Sequence, residues 1–240
     1  MKQLVFAAAL VLMAGLTASA TVTDALKIQL GASIATIQDN GSCVNVVGTL
    51  CAGLIGDLNP TQGTDTISGT VGGWSLSIVS GTSHTPTLVP FGIDVSSLTA
   101  SCSVSGGCTG AANDLHVFYS DINFGTAVPA GGFQTSFSDT QSGSGTVTEN
   151  AYFSNGNGLF TETTLIGSLS FTSTNHGTAS GGPIAAVPNY SLTLEQIFDG
   201  GDATSFSVDG NITAVPEPVS VALFGTVLVL CGARLRRRKA

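Results

Sequence analysis

The sequence predicts an all-β protein: an antiparallel β-sandwich or jelly-roll-like single domain, flanked by an N-terminal signal peptide and a C-terminal transmembrane helix. Three observations predict it. Short segments alternate apolar and polar residues with period two, the mark of half-buried strands. Glycine-rich breakers such as Gly72-Gly73, Gly131-Gly132 and Gly181-Gly182-Pro183 separate them. The long apolar stretches of the 240 residues lie only at the two ends.

The first element is a targeting segment over residues 1–20. Lys2 supplies a positive charge, Leu4 to Leu16 is almost wholly apolar, and Ala18-Ser19-Ala20 places small residues before a cut between Ala20 and Thr21. That three-part layout is a secretory signal read by the Sec translocon.

The second element is a body over residues 21–213. Trp74-Ser-Leu-Ser-Ile78 alternates, and Asp114 to Tyr119 puts Leu115, Val117 and Tyr119 on one face. Gly132 to Phe137 is a looser strand. Leu165 to Phe171 carries Leu165, Leu169 and Phe171 on one side; Tyr190 to Leu194 and Ser205 to Asp209 alternate cleanly. Trp74, the sole tryptophan, reads as a core residue. Formal charge is −8 overall, but the chain segregates it: between Thr21 and Val215 Lys27 is the one Lys or Arg against 14 Asp and Glu. A body near −13 repels phosphate backbones, which excludes nucleic acid as partner, and favours solubility outside the cell.

Four cysteines of the body, Cys43, Cys51, Cys102 and Cys108, read as disulfides in an exported chain. Three connectivities exist. Cys43–Cys51 and Cys102–Cys108 are favoured, because each closes a short glycine-rich loop between neighbouring strands, worth roughly 2–3 kcal/mol in the chain-entropy model. No Cys-x-x-Cys occurs and no histidine sits near either pair, so no metal ligand is assigned.

The third element is residues 214–240. Pro216-Glu217-Pro218 cannot be regular helix or inner strand. Residues 219–233 are an uncharged, mostly apolar run, about 22 Å long as a helix. Residues 234–240 carry Arg234, Arg236, Arg237, Arg238 and Lys239, which the positive-inside rule keeps in the cytoplasm with the body on the far side. The ordered motif, apolar run and basic cluster resemble the C-terminal sorting segment of PEP-CTERM proteins, substrates of membrane-embedded exosortases in Gram-negative bacteria. The resemblance covers about 25 of the 240 residues. It implies transient anchoring in the inner membrane, cleavage near the motif, and release or attachment at the cell surface, often in association with exopolysaccharide and biofilm matrix. A plain single-pass anchor is the alternative.

No catalytic constellation stands out and no cofactor is indicated. His84, His116 and His176 are scattered without metal spacing, and no Gly-x-Ser-x-Gly elbow occurs. His116 lies two residues after Asp114, where a strand would put both on one face, as a surface histidine beside a solvated acid. Glu149, Glu162 and Glu195 are the body's only glutamates; Glu149 with Glu162 is the one pair considered for glycoside hydrolysis. Asp199-Gly-Gly-Asp202, with Asp209 nearby, lacks EF-hand spacing and reads as a polar hairpin turn. Two function classes follow. The leading one is an exported envelope or matrix protein with a structural or adhesive role, its Ser/Thr-rich outer faces meeting hydrated polysaccharide. The alternative is a secreted carbohydrate-binding module or glycan hydrolase on the same sorting route.

Overall fold

The computed structural model describes residues 24–61, 63–82, 92–124, 131–182, 184 and 189–215. The signal peptide with its Ala20–Thr21 junction, His84, and the segment from Pro216 onward, with its sorting motif, apolar run and basic tail, lie outside the described residues. Among the described residues no helix is long and apolar enough to cross a membrane.

Fourteen strands are described: β1 (Asp24–Leu30), β2 (Ser33–Gln38), β3 (Cys43–Val47), β4 (Leu54–Ile55), β5 (Thr64–Val71), β6 (Trp74–Thr82), β7 (Gly92–Cys102), β8 (Leu115–Phe124), β9 (Phe133–Ser142), β10 (Gly145–Ser154), β11 (Thr164–Phe171), β12 (Asn175–Ser180), β13 (Tyr190–Gly200) and β14 (Ser205–Ala214). They form two antiparallel sheets. Sheet A has the order β11-β10-β13-β8-β1-β2-β3, and sheet B the order β12-β9-β14-β7-β6-β5-β4. β1 to β3 and β4 to β7 are meanders. From β7 onward the chain passes between sheets, so that β7 and β8, β9 and β10, β11 and β12, and β13 and β14 fall on opposite sheets, as in a jelly roll.

Alternation explains why these segments pack face to face. Leu115, Val117 and Tyr119 of β8 are buried, as the sequence predicts, with Leu26 and Ile28 of β1 beside them. Trp74 is 1% exposed, its ring centroid 6.2 Å from those of Phe198 and Phe206, and its indole N–H donates to the Asn113 carbonyl at 2.7 Å. A second aromatic group joins Phe124, Phe133, Phe153 and Tyr190, with centroids 5.2–6.0 Å apart. Each such side chain contributes about 1.5–3 kcal/mol by leaving water.

Three details differ from expectation. Leu165 and Phe171 do not share a face: the register with β10 jumps at Ala151/Tyr152, Ile166 is the extra residue, and Leu165 is left 52% exposed while Ile166 and Phe171 are buried. A bulge of one residue reverses the alternation beyond it. β14 runs to Ala214, and the Val215 N–H donates to Gly132 at 3.0 Å, so the sandwich continues past residue 213. Both bridges, Cys43–Cys51 and Cys102–Cys108, are present. However, the Cys102–Cys108 loop sits on the crossover from sheet B to sheet A, with the Cys108 N–H donating to Gly200 at 2.7 Å.

Candidate functional site

The outer face of sheet A carries a hydrogen-bonded group of polar side chains centred on Glu195. Register sets it up. Lys27 of β1 lies opposite Phe118 of β8, Phe118 opposite Glu195 of β13, and Glu195 opposite Asn150 of β10. Since the paired residues of neighbouring strands share a face, the four form one row across the sheet. His116 and Tyr152 flank that row, two residues along from Phe118 and Asn150.

Glu195 is its centre. Its Oε1 accepts from His116 Nδ1 at 2.8 Å; its Oε2 accepts from Asn150 Nδ2 at 3.0 Å and from the Tyr152 hydroxyl at 3.3 Å. Burial pushes the Glu195 carboxyl up, but these hydrogen bonds and the imidazole beside it outweigh burial and hold it below its usual range. Tyr152 is pushed up to about 12, by burial first and then by Glu195 and Glu162, so its hydroxyl keeps its proton. The carboxylate thus acts as a hub that fixes the orientation of an imidazole, an amide and a phenol.

The β10–β11 loop folds over part of the same face. Its Phe160 N–H donates to Ser120 Oγ at 3.0 Å, and its ring meets Phe118 edge-on at 6.5 Å. Lys27 Nζ lies 3.4 Å from the Phe118 centroid and 5.3 Å from that of Phe160, with Glu162 Oε1 at 3.9 Å. Burial lowers the Lys27 pKa, against the opposing pull of Glu162 and Glu195. Phe160 has φ +56°, a left-handed conformation costly for a bulky residue, of the kind that gathers at ligand-contacting sites.

The candidates singled out in the sequence separate here. His116 hydrogen-bonds Glu195 across the sheet, while Asp114, just before the start of β8, feels its charge without bonding to it. Glu149 points the other way, into the sandwich: it is 0% exposed, accepts from Thr135 Oγ1 at 2.6 Å and from Gln196 Nε2 at 3.4 Å, and is pushed up to about 8 by burial. Gly210 of β14 lies against it, where a Cβ would collide with the Glu149 carboxylate. Glu149 and Glu162 therefore stand on opposite sides of sheet A and cannot flank one sugar bond. Asp209 accepts from the Ser97 N–H at 2.7 Å, on the outer face of sheet B, and does not join Asp199 and Asp202.

That outer face of sheet B is hydroxylated. The register aligns Ser75 with Ser101, Ser101 with Ser205 and Ser205 with Ser142; one step along, Ser77, Thr99, Ser207 and Thr140 make a second row. The hydroxyls of Ser101 and Ser205 are 2.9 Å apart.

A buried acidic cluster where sheet A meets sheet B was not foreseen. Asp24 and Asp121 are opposite one another on β1 and β8, and Asp39, Asp57 and Asp65 gather beside them. Burial, then neighbouring carboxylates, push Asp24 up to about 7 and Asp65 up to about 9. Burial also raises Tyr119, whose hydroxyl donates to Asp24 at 3.0 Å. Asp39-Asn-Gly and Asp57-Leu-Asn-Pro are turn signals in the sequence, and their convergence is a product of the meander, with no local motif to announce it.

No protein-family model matches the chain, and no curated protein matches it. Among solved structures, the chain is similar to TmCBM61 in complex with β-1,4-galactotriose, at 10% identity and TM-score 0.30 over 59% of this chain and 88% of that one. It is similar to a carbohydrate-binding module of the β-sandwich superfamily, at 12% identity and TM-score 0.30 over 82% and 85%. It is also similar to the adhesin domain of Epf from Streptococcus pyogenes, at 11% identity and TM-score 0.37 over 83% and 61%.

Proposed function

We propose that the chain is an exported cell-envelope or matrix protein whose β-sandwich binds polysaccharide without turning it over. The observation that carries this reading is the Glu195 hub. Sugar hydroxyls are recognised by planar polar groups held in fixed directions next to aromatic surface, and side chains already locked lose little freedom on binding. His116, Asn150 and Tyr152 are locked in this way by one carboxylate, with Phe160 beside them. The carboxylate spends its oxygens on those three donors, and Glu162 is engaged by Lys27, so neither is set as acid or nucleophile at a sugar bond. The hydroxyl rows of sheet B add broad, weak contact with hydrated polymer.

Delivery follows the two ends of the chain. The segment ending at Ala20 supports export, and Pro216-Glu217-Pro218 with residues 219–233 and the basic cluster supports exosortase handling and transient inner-membrane anchoring. Two measurements test the proposal. Affinity electrophoresis and calorimetry of the purified protein against a polysaccharide panel are expected to find a binder that releases no reducing ends. Asn150→Ala is expected to weaken that binding about tenfold through lost hydrogen bonding. No binding to any member, or release of reducing ends, overturns it. Terminal peptide mapping from the native host is expected to lack the Arg-rich C-terminal peptide; its recovery as the major species leaves a simple anchor.

A further inference from the structure

Asp39, Asp57 and Asp65 reach one point from three separate segments. Asp39 follows β2 in sheet A, Asp57 follows β4, and Asp65 lies on β5 in sheet B. All three are buried, and one carboxylate oxygen of each lies within 4.8 Å of the others. Oxygens bound to one calcium ion at about 2.3–2.6 Å cannot lie more than about 5 Å apart, and the three carboxylates meet that condition. Magnesium dehydrates reluctantly and is seldom held by protein groups alone, so three buried carboxylates favour calcium.

Acidic groups often gather without an ion, but Asp65 sets this cluster apart. It is 0% exposed, and neither of its carboxylate oxygens has a hydrogen-bond partner. Buried carboxylates are tolerated when donors or cations compensate them. No side chain does so here: Lys27, the one lysine or arginine among the described residues, is held on the outer face of sheet A by Glu162 and two rings. Asp24 Oδ1 is likewise buried and without a partner, and its carboxyl lies on the same side.

The other two carboxylates are held in place. Asp57 Oδ1 accepts from the Asn59 and Thr66 N–H groups at 3.0 and 2.8 Å, and its Oδ2 from the Asn40 N–H at 2.8 Å. Asp39 accepts from Asn40 Nδ2 at 2.8 Å and from the Gly63 N–H at 3.1 Å. A carboxylate oxygen has two lone pairs, so these bonds orient each group and leave capacity for a cation. The donor set is oxygen alone, which selects a hard cation over zinc or copper.

We propose that Asp39, Asp57 and Asp65 bind a calcium ion that ties the β2 end of sheet A to β5 of sheet B. The ion is structural. It gives a partner to carboxyl oxygens that the fold otherwise buries without one, and it closes the same end of the sandwich that Cys43–Cys51 braces.

Equilibrium dialysis of the purified full chain against calcium chloride, with metal analysis, is expected to find about one calcium per chain. Thermal unfolding is expected to shift upward by about 5 °C or more between EDTA and 10 mM calcium, with a smaller shift in magnesium. Asp65→Asn preserves shape and removes the charge. It is expected to melt at or above the wild type in EDTA and below it in calcium, so the order of the two proteins inverts. Absence of bound calcium at 10 mM overturns the proposal without recourse to any variant. So does a calcium shift that survives intact in Asp65→Asn, which places the ion elsewhere.

Discussion

Glu149 and Glu195 occupy adjacent strands one register step apart, Asn150 facing Glu195 and Glu149 facing Gln196, yet their carboxyls are shifted in opposite directions. Both are buried, at 0% and 6% exposure. Glu149 looks into the sandwich, meets a hydroxyl and an amide, and is pushed up to about 8 by burial. Glu195 looks outward, meets an imidazole, an amide and a phenol, and falls below its ordinary range despite burial. Burial alone would have raised both. The sign is set by whether a charge-compensating donor lies in reach, and the strand pleat decides that by assigning consecutive residues to opposite faces.

The largest way to sharpen this contrast is pH. Glu149 has a folded value of about 8 against 4.5 ordinarily, so the folded state keeps a proton that the unfolded chain has lost. Its contribution to stability is complete below pH 4.5 and is lost as pH rises through about 8. Glu195 runs the other way: its contribution is present above the ordinary carboxyl value and lost as pH falls through its lowered one. Glu149→Gln imitates the protonated form. Urea unfolding at pH 5, 7 and 9 and fixed calcium is expected to show a flatter alkaline decline in this variant, by about 1.4 kcal/mol per pH unit where Glu149 alone differs between states. The variant should overtake the wild type by pH 9. Equal slopes would mean that Glu149 is ionised in the fold.

The contrast also marks where the sequence was legible. Two-residue alternation announced the sandwich, the buried faces of β8 and the core position of Trp74, because a strand with one wet face writes its burial into its own pattern. Export chemistry and loop closure announced Cys43–Cys51 and Cys102–Cys108. The Glu195 hub was hidden, since His116 and Glu195 are 79 positions apart and meet only through the β8–β13 register. The separation of Glu149 from Glu162 was hidden for a related reason. The inward place of Glu149 is allowed by Gly210, on a strand 61 positions later, and nothing near Glu149 reports that glycine. The Asp39, Asp57 and Asp65 group depends in the same way on the order in which the meanders stack.

A smaller effect breaks the pair from the outward side. His116→Ala removes the shortest bond to Glu195, at 2.8 Å, and leaves a buried carboxylate with an amide and a phenol. The loss expected in chemical denaturation is about 1.5–3 kcal/mol, the range for hydrogen bonds to charged groups. His116→Asn can still present an N–H toward Oε1 and is expected to recover part of it. A His116→Ala protein as stable as the wild type would show that Asn150 and Tyr152 suffice to hold the charge.

The smallest stability effect belongs to Tyr152, and it separates folding from recognition. The Tyr152 hydroxyl donates to Glu195 at 3.3 Å, a long bond that shares Oε2 with the shorter one from Asn150. Tyr152→Phe keeps the ring and its packing, and Glu195 keeps its other two donors, so the cost is expected to stay below about 1 kcal/mol. The same hydroxyl retains its proton to about pH 12 and has its acceptor lone pairs free to meet a sugar hydroxyl. If the hub exists to present oriented groups to a polysaccharide, Tyr152→Phe should weaken binding severalfold while the unfolding midpoint barely moves. If it exists only to neutralise Glu195, binding and midpoint should both stay near the wild type. The ratio of the two changes, measured on one preparation, therefore tells what the outward-facing carboxylate is for.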